Sequence, residues 1–225
     1  VKDFKNLAIR KTIHAIMTLL LASPALVIPM LPDKLFLFQR PDPTWIYGLL
    51  MVAVAWVNAL RVKGPAVSLS PEELEALLQK TPMGQRVDAA VRWLENLARQ
   101  VEREYEKRAG WVGLMHGVLG VGISYFLFGS NFVWGVLALA TTDVASALVG
   151  ASLGRRRMPF ASASTVEGTL AGFLVFLPIA SLHWTPLQAV LLAAAAAFSE
   201  AYGVEDNLEV PFAVSLVAWL MTRLA

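Results

Sequence analysis

The chain has 225 residues, 56% of them hydrophobic and 16% charged, with a mean hydropathy of +0.57 and a formal charge of +2. Soluble domains run nearer roughly 45–50% apolar and about 25% charged. The excess of apolar residues over charge excludes a water-soluble enzyme, a disordered chain and a nucleic-acid-binding module, and indicates an all-α polytopic membrane protein. The absence of cysteine removes disulfides, thiolate metal sites and cysteine nucleophiles.

A helix crossing the hydrocarbon core needs about 20 mostly apolar residues. In chain order the expected spans are 12–31, 44–61, 111–128, 131–150, 168–183, 186–201 and 209–225, about seven transmembrane helices. The first is read as a retained helix rather than a signal peptide, with Pro24 and Pro29 predicting a kink or an early end. Three regions result: 1–61 with two spans, a polar helical insert over 62–109, and a five-span region over 110–225. In the insert, Ser70-Pro71-Glu72-Glu73 is a capping box, and Val87, Val91, Leu94, Ala98, Val101 and Tyr105 form an apolar seam after Thr81-Pro82. The seam suits packing on the membrane region or along headgroups, with a homodimer contact as the alternative. Gly113, Gly117, Gly120 and Gly122 are packing positions. His116 is an open candidate, and His183 is expected at the far interface. Thr185 is an expected N-cap ahead of Pro186. With these spans, 16 of the 19 Lys and Arg lie on the N-terminal side, which the positive-inside rule makes cytoplasmic.

Three polar features map to that side. Arg10 and His14 share a helix face with Lys11 beside them, a grouping suited either to phosphate binding or to interfacial anchoring. Asp143 interrupts an apolar span, where a carboxylate costs roughly 2.5–3.5 kcal/mol at mid-bilayer and normally marks a functional cavity. It is followed by Gly150, Gly154, Arg155, Arg156 and Arg157, then by Ser164, Thr165, Glu167 and Gly168. Glycines, hydroxyls and a cationic triplet suit a polyphosphate, although no P-loop sequence is present. The third feature runs from Glu200 through Glu205, Asp206 and Asn207 to Glu209. Oxygen ligands beside a phosphate site favour Mg²⁺. Glu200, Asp206 and Asn207 are the expected functional members, Glu205 and Glu209 are read as solvated, and a loop is expected over 203–208.

Taken together, Arg10-Lys11 with His14, the glycine-rich span, Asp143 followed by Ala147, Gly150 and Gly154-Arg155, the run Thr165-Val166-Glu167-Gly168-Thr169, and Glu200 with Glu205-Asp206-Asn207 and Pro211 resemble the membrane polyprenol kinases, which include dolichol kinase, phytol kinase and CTP-dependent diacylglycerol kinase. The resemblance covers most of the chain outside 62–109 and is strongest from Asp143 to Pro211. It departs at Thr142, where the family has glycine, at Ser164, where it has lysine, and at Arg155–Arg157, where it has lysines. The resemblance implies transfer of the γ-phosphate of CTP to a lipid alcohol with Mg²⁺. Asp143, Asp206 and either Glu167 or Glu200 would hold the metal, and Arg10, Lys11 and the arginine triplet would neutralise phosphates. His14 or a carboxylate would take the hydroxyl proton. A CTP-dependent lipid-phosphate cytidylyltransferase and a transporter are the alternatives.

Overall fold

The computed structural model describes residues 2–36, 39–63 and 112–224. The capping box, the apolar seam and the rest of 64–111 lie outside the described residues. The chain divides into two compact units, one of residues 1–52 with 113–225 and one of 53–112.

The larger unit is mostly helical. Its elements are α1 (Lys2–Val27), α2 (Pro43–Lys63, which runs on into the smaller unit), α3 (Val112–Phe128), α4 (Phe132–Leu153), β1 (Arg157–Met158), β2 (Ala161–Thr165), α5 (Val166–Ser181), α6 (Pro186–Tyr202) and α7 (Asp206–Leu224). These helices fall on the stretches expected to be apolar spans. By length and composition, however, two of the described stretches are long and apolar enough to cross a membrane, Phe4–Met30 and Val112–Leu153, rather than seven. Pro43–Ala59 and Val166–Ser181 are apolar but shorter. The all-α expectation also needs correction: β1 and β2 form an antiparallel ribbon, turning at Pro159-Phe160. Proline before the tip withholds a donor, and Thr165 favours the extended backbone that ends β2.

Local chemistry sets the boundaries. α1 begins well before the expected apolar span, so Arg10, Lys11 and His14 are interior helical positions. It passes through Pro24 and gives way to a 3-10 turn at Ile28–Met30, where Pro29 cannot continue the α-helical ladder. Thr165 caps α5 by accepting the Gly168 N–H at 3.1 Å. Thr185 caps α6, with Gln188 Oε1 accepting its backbone N–H at 3.2 Å. α7 starts at Asp206, so Asp206 and Asn207 occupy its first turn rather than the loop expected over 203–208. Glu209 Oε1 closes that turn by accepting the N–H groups of Val204 at 3.0 Å and Glu205 at 3.3 Å.

α4 is the central helix, packed against α1, α5, α6 and α7. One apolar cluster joins α4 to α7 through Leu139, Phe176, Leu192, Val210 and Val214, with the alanines of α6 filling the space between. A second surrounds Tyr47, which donates to Leu21 O at 2.8 Å and packs with Val121, Phe132 and Ala22. Close helix approaches depend on two glycines above all. A Cβ on Gly135 would collide with Pro211 and Ser215 of α7, and one on Gly120 with the Asn207 backbone. At the end where α4 begins, His183 lies between Trp134 and Trp184, its ring centroid 5.5 Å from each.

Candidate functional site

Four helices bring charged groups to one place. Asp143, fully buried in α4, accepts from Lys11 Nζ of α1 at Oδ1 and faces His14 Nδ1 across 2.7 Å at Oδ2. The spacing of Lys11 and His14 explains the shared contact, because positions three apart lie on one helical face. Thr18 Oγ1 donates to the His14 carbonyl at 2.9 Å within the same helix. Lys11 is itself buried, 7% exposed, and its Nζ lies 4.0 Å from Asp206 Oδ2 at the start of α7.

Glu200, near the end of α6, completes the group. Asp143, Glu200 and Asp206 each present an oxygen within 4.8 Å of the others. Ser146, one turn after Asp143, donates to Glu200 Oε1 at 3.0 Å. Glu200 Oε2 is buried with no hydrogen-bond partner among the described residues. Burying a carboxylate oxygen without a partner is costly, so a group of three carboxylates with one oxygen unbonded is suited to a cation. Hard oxygen donors fit Mg²⁺.

The structure therefore unites Lys11, His14, Asp143, Glu200 and Asp206. It does not bring in the remaining expected residues. Glu167, expected at the metal, stands outside this carboxylate group: its Oε2 accepts the backbone N–H groups of Arg155 at 3.1 Å and Arg156 at 3.3 Å, clasping the turn before the ribbon. Gly150, Gly154 and Gly168, expected at the phosphates, pack around Thr165. A Cβ on Gly168 would lie 2.6 Å from Ser146 O, and one on Gly154 would lie 2.8 Å from Thr165 Oγ1. Thr165 is occupied as the α5 cap, and Ser164 Oγ donates to Ala201 O at 3.1 Å, tying β2 to α6. Arg157 donates to Ala163 O at 3.1 Å across the ribbon, while Arg155 and Arg156 are exposed. Arg10 is partly buried one residue before Lys11. Asn207 is buried, and its Nδ2 donates to Gly113 O at 3.1 Å, fastening α7 to α3.

Ser146 was not legible as a site residue, and His116, an open candidate from the sequence, takes a partner that the sequence did not give. Ser146 was hidden among small helix residues, although its i, i+3 spacing from Asp143 puts both on one face. His116 pairs with Glu205 across 3.3 Å, beside Asp206. That pair joins residues far apart in sequence, and no local pattern signals it.

No protein-family model, curated protein or solved structure matches this chain. The class defined by fold and site is thus a helical protein with a buried lysine–histidine–carboxylate centre, shared among α1, α4, α6 and α7.

Proposed function

We propose that this chain is a multi-pass membrane phosphotransferase that moves the γ-phosphate of a nucleoside triphosphate, CTP in the first instance, to the hydroxyl of a lipid alcohol of the polyprenol type, with Mg²⁺. The observation that carries the reading is the convergence of Asp143, Glu200 and Asp206 with a buried Glu200 oxygen left unbonded. The outward face of the helices supports a lipid surrounding. Leu19, Leu20, Trp45, Leu49, Leu170, Leu174 and Leu187 are all exposed, large apolar side chains on α1, α2, α5 and α6 that a bilayer would cover.

Phosphoryl transfer depends on positioning and charge neutralisation more than on covalent help. Asp143, Glu200 and Asp206 would hold Mg²⁺, which would supply positive charge for the phosphate oxygens. Lys11 balances the buried carboxylates, and Arg10 at the same end of α1 meets the outer phosphates. Asp143 orients His14 through Nδ1, leaving the other ring nitrogen to accept the alcohol proton. The lipid alcohol enters sideways from the bilayer and the nucleotide from the water phase.

Purified protein in detergent with CTP labelled at the γ- or α-phosphate, offered a panel of prenyl alcohols and, separately, lipid phosphates, tests the reading. The expected result is label transfer from the γ-position with release of CDP. Release of pyrophosphate with α-label in the lipid would make the chain a cytidylyltransferase. The absence of nucleotide turnover with every acceptor would leave the transporter reading.

A further inference from the structure

We propose that the β1–β2 ribbon is a membrane-surface anchor that docks on anionic lipid headgroups, an inference that rests on the membrane reading above. Phe160 at its tip is 104% exposed, with φ of 61°. That is the left-handed region, which a bulky side chain adopts only where its surroundings enforce it. In water the exposed ring would gain nothing from being held out in this way.

The neighbouring chemistry supplies a partner. Arg155 and Arg156 are exposed just before β1, and Arg157 closes the ribbon through Ala163 O. Within 155–167 three arginines stand against one carboxylate, Glu167, which accepts the N–H groups of Arg155 and Arg156, so that segment is net positive. Ser164 fastens β2 to the end of α6. Val204, just beyond that end, is 88% exposed, and Leu153, at the end of α4, is 64% exposed. An aromatic wedge and apolar neighbours beside cations match the headgroup–acyl boundary of an anionic leaflet: the ring enters the boundary while guanidinium groups pair with lipid phosphate. Geometry fixes the level. β1 starts shortly after α4 ends at Leu153, and α5 starts directly after β2. A ribbon so tightly tethered between two apolar helices cannot move far from the surface they enter.

The cysteine-free chain allows a clean test. An environment-sensitive fluorophore is placed on Phe160→Cys, and on Leu174→Cys as a reference from the exposed face of α5, in full-length protein reconstituted into phosphatidylcholine vesicles with or without phosphatidylglycerol. The expected result is a blue-shifted 160 probe shielded from iodide in the anionic vesicles. Shielding should fall about fivefold or more without phosphatidylglycerol, or when Arg155→Gln and Arg156→Gln are combined. If the 174 probe is shielded but the 160 probe stays open to iodide in both vesicles, the anchor is overturned and the membrane reading stands. Shielding of 160 that ignores anionic lipid and both arginines, or that appears only with added CTP, also overturns it. If the 174 probe is open to iodide, both readings fall together.

Discussion

Asp143 and Lys11 are both buried and bonded to each other, which changes what a substitution at Asp143 does. Considered alone, Asp143→Asn removes a charge from an apolar helix and should fold no worse. With Lys11 present, it strands an ammonium whose remaining ion pair among the described residues is Asp206 at 4.0 Å. Breaking a buried pair costs about 3–5 kcal/mol. Asp143→Asn is therefore expected to lower the melting temperature in detergent, and Lys11→Met combined with Asp143→Asn to restore most of it. Phosphate transfer by the restored double variant should stay at least about a hundredfold below the parent, the scale of lost electrostatic stabilisation. Normal transfer by the double variant would remove Asp143 from the chemistry. Ser146 gives a quieter test. Ser146→Ala leaves Glu200 without its donor at Oε1, so on the proposed Mg²⁺ reading it should raise the Mg²⁺ concentration needed for half-maximal transfer about tenfold, with melting little changed. Titrating activity against Mg²⁺ separates this from a general folding defect.

Among elements, α4 has the least freedom, since four helices lean on it. Its contact with α7 runs through Gly135, where any Cβ meets Pro211 and Ser215. Gly135→Val must force these helices apart, moving Asp206 away from Asp143. It is expected to cost about 1–3 kcal/mol or more and to reduce transfer in parallel, as overpacking does. Gly48 in α2 has nothing within 4 Å of its Cβ direction, so Gly48→Ala should match the parent in thermal unfolding and transfer. Equal behaviour of the two variants would show that the α4–α7 approach does not hold the site. The α3–α7 contact works likewise: Gly120 lets the Asn207 carbonyl come close, and Asn207 Nδ2 reaches Gly113 O. This fastening explains why an amide next to Asp206 faces a neighbouring helix rather than the carboxylate group.

For the whole molecule, the membrane reading requires the ribbon and the start of α7 to face the same compartment. Cysteines introduced at Arg156 and Asp206 should react with an impermeant maleimide from one side of sealed vesicles, together with one at Arg10. Labelling of 156 and 206 from opposite sides would break the single-centre arrangement and the proposed chemistry with it. The distribution of residues supports one centre: buried charge collects around Asp143, whereas the opposite end of the unit holds the Trp134, His183 and Trp184 ring cluster.

The sequence by itself marked Asp143 as a functional position, because a carboxylate in an apolar helix is costly, and it put Lys11, His14, Glu200 and Asp206 among the candidates on charge and spacing. It also determined most of the helical stretches, since apolar runs bounded by Thr185-Pro186 and Pro29 carry their own start and stop signals, whereas the Thr165 cap emerged only in the structure. Tertiary structure decided which candidates meet. Glu167, Thr165, Gly150, Gly154 and Gly168 share a motif with the site, but backbone N–H groups and close helix packing occupy them locally. Glu200 joins Asp143 only because α6 ends beside the middle of α4, a contact set by packing between distant elements. Local propensity reads the chain a few residues at a time, while the site depends on which helix faces are buried against each other.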